Sequence, residues 1–280
     1  MEHPRVTGAL GLPADVAAAV TRRWPDRGPA WRTEVETELA DLCELHNARP
    51  VRVLSSRYAY IIEATTLHGS LIMRASPDPD GMAQGHVSIA LANLDAAPRI
   101  HELRDTTTGT WTVQQKATPG TPLADLEPTN ALFDAIVALF HKIQNQPPPV
   151  PAGCSLTSWL RSRLLAGDDL TDLPAGTTPA SPAERKNALA TLNDLEPGTR
   201  PALCHGDASP WNILSAGPDS LHLIDPRGVH GEPEYDLAVV ALKAAPVADP
   251  HQRATHLASE TDTDGERVLA WLTVADAARV

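Results

Sequence analysis

Apolar residues recur at helical spacing in two stretches near the start of the chain. The first series is Leu12, Val16, Val20 and Trp24, with Pro13 at its first helical position. The second series is Trp31, Val35, Leu39, Leu42 and Leu45. Because an α-helix turns once in about 3.6 residues, each spacing predicts an amphipathic helix that packs one face on a core.

The pattern then changes to short runs that are typical of β-strands. Such runs occupy 51–54, 58–65, 70–75 and 111–117, and His68-Gly69 predicts a turn. A weaker helical pattern covers about 82–95. Strands with one interposed helix suit a small sheet-containing lobe, although many other α+β domains share this order.

A turn-forming segment, Pro119-Gly120-Thr121-Pro122, predicts a boundary, after which the pattern is mainly helical. The chain is therefore expected to divide into residues 1–118 and 119–280. Helices are predicted from Leu132 to near Gln146, from Leu156 to Leu164, from Pro182 to about Leu195, and near 233–244 and 264–278. The proline-rich run 147–151 predicts an extended connector, and 167–182 a polar loop.

The composition is that of a globular protein, with 42% hydrophobic and 21% charged residues among 280. A net charge of −12 argues against nucleic acid, whose phosphates require a basic surface. The charge is compatible with a cationic small molecule as substrate, because an acidic cleft concentrates cations. It is equally compatible with a role in solubility alone.

Cys43, Cys154 and Cys204 are far apart and form no C-x-x-C motif, so neither a disulfide framework nor a zinc site is expected. The N-terminal sequence shows no signal pattern, and no window approaches about 18 apolar residues. We expect a cytoplasmic protein that has no membrane partner.

Two segments carry the chemistry. One is His205-Gly206-Asp207-Ala208-Ser209-Pro210-Trp211-Asn212, and the other is Leu221-His222-Leu223-Ile224-Asp225-Pro226-Arg227-Gly228. Asp207 is a candidate base that orients an attacking hydroxyl and accepts its proton. The amide oxygen of Asn212 and the carboxylate of Asp225 are ligands suited to Mg²⁺. This set suits phosphoryl transfer.

Each of these residues also has an ordinary interpretation. An isolated Asp in a turn is usually only a turn residue, and a loop Asn often bonds backbone. The spacing from Asp207 to Asn212 and the second acid at Asp225 favour the catalytic interpretation. A metal-dependent hydrolase that uses His205, Asp207 and Asp225 is a further hypothesis, but the chain lacks the clustered histidines typical of such sites.

The order H-G-D-x4-N followed by I-D-P resembles the catalytic and metal loops of the aminoglycoside phosphotransferases, relatives of the protein kinases. The run from Asp225 to Ala238 is similar to the subgroup that includes streptomycin 6-phosphotransferases and hydroxyurea phosphotransferases. The resemblance implies an α+β, two-lobed, protein-kinase-like fold, with a small sheet-containing N-lobe and a mainly helical C-lobe. It also implies that His205 braces the catalytic loop and that Asp236 steadies it.

The same resemblance assigns a nucleotide site. Arg74 occupies the place of the family's phosphate-binding lysine, and Gln115 and Ala117 fall in the hinge that meets the nucleobase. No Glu lies between Ala75 and His101 to pair with that cation. The predicted function is an ATP- or GTP- and Mg²⁺-dependent phosphotransferase acting on a hydroxyl of an aminoglycoside-like antibiotic or a related metabolite. The alternative is a catalytically impaired kinase-fold protein that binds a small molecule.

Overall fold

The computed structural model describes residues 10–170, 173, 177–244 and 249–280. They form two compact units. The first comprises residues 10–82 and 100–116, and the second comprises residues 83–99 together with the described residues from 117 onward. Within this described part of the chain, no helix is long and apolar enough to cross a membrane.

The first unit is a five-stranded antiparallel sheet with two helices. The sheet order is β1-β2-β3-β5-β4. Its strands are β1 (Arg49–Leu54), β2 (Tyr60–Thr66), β3 (Gly69–Ser76), β4 (Ile100–Asp105) and β5 (Thr110–Gln115), and its helices are α1 (Ala14–Arg23) and α2 (Gly28–Leu45). Consecutive residues in a strand face opposite sides, so the register of β2, β3 and β5 separates an apolar face from a polar one.

Helices α1 and α2 share one core with the apolar face of this sheet. Trp31 of α2, Ile62 of β2 and Met73 of β3 are fully buried in it. Burying a side chain of this size contributes about 1.5–3 kcal/mol, which explains why an amphipathic helix forms here. The indole Nε1 of Trp111 donates to Glu38 of α2 at 2.7 Å and ties helix to sheet.

The second unit is mainly helical. Its helices are α3 (Gly81–Asn93), whose first residues belong to the first unit, α4 (Asn130–Ile143), α5 (Leu156–Ala166), α6 (Pro182–Leu195), α7 (Pro233–Lys243), α8 (Pro250–Glu260) and α9 (Gly265–Ala277). Phe140, Leu160, Leu192 and Trp271, from four different helices, meet in one core and are fully buried.

Two short strand pairs interrupt the helices and carry the loops of interest. Strand β6 (Ala202–Leu203) pairs with β9 (His230–Gly231), and β7 (Ile213–Gly217) forms a hairpin with β8 (Ser220–Leu223). The hairpin register places Ile213 opposite Leu223. The residues just before and just after the hairpin are therefore neighbours.

The kinase-like fold class predicted from the sequence is confirmed. Several features differ from the prediction. Strand β4 and helix α8 were not predicted, and residues 83–99 cluster with the second unit although the sequence placed them in a first domain of residues 1–118. Lys142 of α4 donates to the Asp95 carbonyl at 2.6 Å, and the Leu223 N–H donates to the Ala96 carbonyl at 2.8 Å, so long-range bonds hold this segment. Part of the predicted loop at 167–182 lies outside the described residues.

Candidate functional site

The β7–β8 hairpin brings together two of the predicted site residues. Asn212 precedes β7, and Ile224 and Asp225 follow β8. The Ile224 N–H donates to the Asn212 carbonyl at 2.9 Å and continues the hairpin by one more pairing. Asn212 and Asp225 are therefore held as neighbours by backbone structure, although they are separated along the chain.

Asp236, in the first turn of α7, holds the loop from His205 to Asp207 by hydrogen bonds. The Asp236 carboxylate accepts the backbone N–H of His205 at 2.7 Å and that of Gly206 at 2.8 Å. It is fully buried. Burial raises the pKa of Asp236, and the interactions with His205 and the two N–H groups offset only part of that effect. The steadying contact expected of Asp236 is present.

His205 joins the two loops. Its Nε2 lies 2.8 Å from the Ile224 carbonyl, and its Nδ1 lies 3.2 Å from the Asp207 backbone N–H. A carbonyl only accepts and an N–H only donates, so this network assigns a neutral imidazole with its proton on Nε2. The bracing contacts expected of His205 are therefore present, and they fix Asp207 relative to Asp225.

Gly206 allows the loop to turn tightly between these contacts. Its φ is +79°, a left-handed conformation that glycine adopts without a steric penalty. A Cβ at this position would lie 2.6 Å from a methyl of Val229 and 2.8 Å from the Arg227 Cβ. Any larger residue would push the Asp207 loop and the Asp225 loop apart.

Both carboxylate oxygens of Asp207 meet cations. Arg227 Nη2 donates to Oδ2 at 2.7 Å, and Lys243 Nζ donates to Oδ1 at 3.4 Å. Burial raises the pKa of Asp207, but the charges of Arg227 and Lys243 outweigh it, and the net pKa is lowered. Asp207 is therefore ionised at neutral pH, as a proton acceptor must be.

Sequence reasoning missed Arg227, Lys243 and Trp159 as site residues. The Arg227 guanidinium carbon lies 5.0 Å from the centroid of the Trp159 ring, within the range of a cation–π contact. Arg227 was visible only as the third residue of the D-P-R-G run. Trp159 on α5 and Lys243 at the end of α7 carry no local motif, so only the fold identifies them.

The two proposed metal ligands have different surroundings. The Asn212 Nδ2 donates to the Asp207 carbonyl at 2.9 Å, so the amide nitrogen is used internally and the oxygen is directed elsewhere. Asp225 is exposed, and its φ of +55° is in the left-handed region that Asp tolerates better than most residues. An amide oxygen and a carboxylate fit a hard cation that retains water and phosphate ligands. Among the described residues, no group of three or more His, Cys, Asp or Glu side chains forms a complete metal site.

In the first unit, Arg74 lies in the second half of β3, on the polar face of the sheet. It pairs in register with Ile61 of β2 and Thr112 of β5. Glu63 lies on the same face, two residues after Ile61 in β2. It accepts from Lys116 Nζ at 2.6 Å and from Arg52 Nε at 2.8 Å. The Lys116 hydrogen bond lowers the pKa of Glu63 most strongly, against the effect of burial, and Arg52 adds to the lowering.

The remaining predicted nucleotide contacts fall on either side of a unit boundary. Gln115 ends β5 in the first unit, opposite Leu71 of β3. Ala117 is buried and begins the main segment of the second unit.

An apolar cavity of about 260 Å³ adjoins the loop that carries Asp207 in the second unit. Pro210 of that loop lines it, together with Phe133 of α4, His256 of α8 and Val240 of α7. The rings of Phe133 and His256 stack 4.5 Å apart. Since α7 also carries Lys243, which contacts Asp207, the cavity lies close to the candidate base.

Comparison with known proteins agrees with this geometry. The family model of the APH phosphotransferase enzyme family matches residues 47–272. A search of curated protein sequences finds no match. Many solved structures share the fold.

Three of these structures show its range. An aminoglycoside-3'-phosphotransferase of type VIII is 21% identical, with a TM-score of 0.59, and the match covers 87% of this chain and 98% of that one. A thermostable aminoglycoside phosphotransferase mutant, solved as a ternary complex with AMP-PNP and hygromycin B, is 14% identical, with a TM-score of 0.61 and coverage of 85% and 88%. A choline/ethanolamine kinase family protein from Mesorhizobium loti is 17% identical, with a TM-score of 0.63 and coverage of 88% and 83%.

The chain is a kinase-like small-molecule phosphotransferase by class. It has an antiparallel sheet unit and a helical unit, and the loops of the helical unit carry Asp207, Asn212 and Asp225. Within that class, the chain belongs to the APH phosphotransferase enzyme family, whose model covers most of its length. The family expectation drawn from the two motifs is confirmed.

Proposed function

We propose that this protein transfers the terminal phosphoryl group of ATP or GTP to a hydroxyl of a small molecule, with Mg²⁺ bound at Asn212 and Asp225. The observation that carries the proposal is the hydrogen-bonded connection of the two loops. His205 links the Asp207 segment to Ile224, and Ile224 pairs with Asn212. Three residues suited to this chemistry are thus held in one place by these hydrogen bonds.

In the proposed reaction, Asp207 hydrogen-bonds the acceptor hydroxyl and takes its proton as the acceptor oxygen attacks the terminal phosphorus. The bond from that phosphorus to the bridging oxygen breaks, giving a phosphate monoester and a nucleoside diphosphate. Mg²⁺, when bound, neutralises charge on the phosphate oxygens. Asn212 and Asp225 would hold it, and their separate environments suit one neutral and one charged ligand.

On the nucleotide side, we propose that Arg74 contacts the phosphates in place of a lysine and that Gln115 and Ala117 meet the nucleobase. A guanidinium binds phosphate with two parallel donors, so the substitution preserves charge but changes geometry. One solved relative holds AMP-PNP, which supports a nucleotide donor. The screen described below compares ATP and GTP as phosphoryl donors.

For the acceptor, we propose an aminoglycoside-like antibiotic or a related hydroxylated metabolite, in keeping with the streptomycin and hydroxyurea subgroup that the motif resembles. Hygromycin B in the solved relative supports the first choice. A cationic acceptor agrees with the net charge of −12. The cavity near Pro210 makes hydroxyl compounds with an apolar portion a second group to test. A cytoplasmic location, as expected from the cysteine pattern, remains part of the proposal.

The test is a screen of hydroxylated acceptors with ATP and with GTP in the presence of Mg²⁺. Phosphorus NMR and mass spectrometry should detect a new phosphate monoester with the wild type and not with Asp207→Asn. Binding of acceptors and nucleotide without any product would instead favour a kinase-fold binding protein. That alternative draws on Arg74 in place of lysine and on the lack of a Glu between Ala75 and His101 to pair with it.

A further inference from the structure

The two oxygens of the Asp207 carboxylate are held unequally. The Arg227 contact to Oδ2 is short, at 2.7 Å, whereas the Lys243 contact to Oδ1 is long, at 3.4 Å. A charge-assisted hydrogen bond is strongest near 2.7–2.9 Å, so the interaction with Arg227 is much the stronger of the two. Lys243 forms a contact that a competing hydroxyl can replace.

Both the backbone and the side chain of Arg227 are held by contacts. Its backbone N–H donates to the His205 carbonyl at 2.8 Å. Its guanidinium lies over the Trp159 ring, at 5.0 Å from the centroid. Backbone and side chain are therefore held by different elements, the catalytic loop and α5. Lys243, in contrast, is the last residue of α7.

We propose that Arg227 is a positioning residue for the catalytic base. It holds Oδ2 of Asp207 and thereby presents Oδ1 to the acceptor hydroxyl, which displaces the Lys243 ammonium. This inference rests on the proposed function, because it assumes that Asp207 receives the hydroxyl proton. It assigns a role to Arg227, the third residue of the D-P-R-G segment. The metal-binding role of Asp225 does not explain why an arginine stands there.

The physical reason is that a partly buried carboxylate needs a cation to remain ionised. Burial alone would favour the protonated form, which cannot accept a proton. The guanidinium opposes this effect, because it places a positive charge 2.7 Å from Oδ2. A guanidinium held in place also restrains the carboxylate oxygen that it contacts, and misplacement of a catalytic group by about 1 Å costs about 100-fold in rate.

An alternative is that Arg227 only fills space against Trp159. Arg227→Met tests this, since methionine keeps apolar contact with the indole but carries no charge. Arg227→Lys keeps the charge and loses the planar fork. Arg163→Ala is the matched control, because the Arg163 guanidinium lies 5.4 Å from the centroid of the same ring and bonds instead to the Ala278 and Arg279 carbonyls.

The first measurement is steady-state kinetics with the acceptor found by the screen. Arg227→Met should lower kcat by about 10–100-fold with little change in KM, because the base is misplaced while the contacts that bind the acceptor remain. Arg227→Lys should recover part of the loss, and Arg163→Ala should keep the wild-type kcat. An unchanged kcat in Arg227→Met, in a protein with wild-type circular dichroism, would overturn the inference.

The second measurement is a double-mutant cycle of Arg227→Met and Asp207→Asn on kcat/KM. If Arg227 acts through the carboxylate, Arg227→Met should cost little more once Asp207 is already Asn, so the two losses should not add. Fully additive losses would mean that Arg227 acts only in packing.

The two proposals fail in different ways. If the wild type transfers no phosphoryl group to any acceptor, the proposed function is wrong and the positioning role falls with it. If the wild type is active and Arg227→Met matches it in kcat, only the positioning role is wrong.

Discussion

At the scale of single residues, Asp207 has one function in the proposed reaction that an amide cannot replace. Asp207→Asn keeps the size of the side chain but cannot accept the hydroxyl proton. Turnover should fall by about 10²–10⁴-fold, while nucleotide affinity stays within the error of the wild-type value. Steady-state kinetics and calorimetry would measure the two effects. Asp219→Asn, an exposed acid in the turn of the β7–β8 hairpin, is the control and should behave as wild type.

The two proposed metal ligands should contribute unequally to Mg²⁺-dependent nucleotide binding. Asp225→Ala removes a full charge and should abolish the Mg²⁺-dependent part of nucleotide binding. Asn212→Ala removes one neutral oxygen and should cause a smaller loss. Titration of ATP with and without Mg²⁺ decides the matter. Equal Mg²⁺-dependent binding by wild type and Asp225→Ala would show that the metal is held elsewhere.

Arg74 separates an active kinase from a protein that only binds ligands. If it contacts the donor phosphates, Arg74→Ala should strongly weaken nucleotide binding or slow transfer, and Arg74→Lys should retain part of the activity. Arg52→Ala serves as control, since Arg52 is a largely exposed arginine of the same sheet that pairs with Glu63. A silent Arg74→Ala variant would favour the binding protein.

At the scale of elements, helix α7 places two charged residues at one loop. Asp236 and Lys243 are seven residues apart, which is about two helical turns, so they project from the same face of the helix. Asp236 bonds the His205 and Gly206 backbone, and Lys243 contacts the Asp207 carboxylate. The position of α7 therefore sets the geometry of the candidate base.

A buried acid at the start of α7 fixes that position. Glu232 is 1% exposed and accepts from Arg267 Nε at 2.6 Å and from Trp271 Nε1 at 3.0 Å, both on α9. Glu232→Ala leaves the Arg267 charge without its partner and should lower the free energy of unfolding by about 3–5 kcal/mol.

Urea unfolding measures the effect of that change. Glu196→Ala breaks the partly exposed pair with Arg161 and is the matched control, with an expected loss of about 0–1 kcal/mol. Equal losses in the two variants would mean that the Glu232 cluster does not anchor α7 to α9.

At the scale of the whole molecule, the net charge of −12 makes a prediction about kinetics. A cationic acceptor attracted by this charge should lose kcat/KM as salt rises from about 0.01 M to 0.15 M, where the screening length falls from about 30 Å to about 8 Å. The measurement uses saturating nucleotide, and an uncharged acceptor is the control. A salt-independent kcat/KM for the cationic acceptor would leave solubility as the only role of the charge.

The sequence by itself determined the elements with strong local signals and the order of the chemical groups. Helices α1, α2 and α4 follow from apolar spacing, because each must bury one face to be stable. The positions of Asp207, Asn212 and Asp225 follow from two short motifs, because turn chemistry and spacing are local properties. Strand β4, Ile100–Asp105, gave no such signal: it is an edge strand in which charged residues interrupt the alternation. Helix α8 was missed because few apolar residues mark its buried face.

Only the tertiary structure decided what surrounds Asp207. Its two cations come from positions 20 and 36 residues further along the chain, and the indole that holds one of them comes from α5. Contacts of that separation depend on how α5 and α7 pack, which no local pattern encodes. The same applies to residues 83–99. Their position among the strands of the sequence predicted that they belong with the sheet. Their hydrogen bonds to Lys142 and Leu223 instead accompany their clustering with the helical unit. Local signals thus identified the candidate reacting groups, and long-range packing fixed the charged groups around them and their orientation.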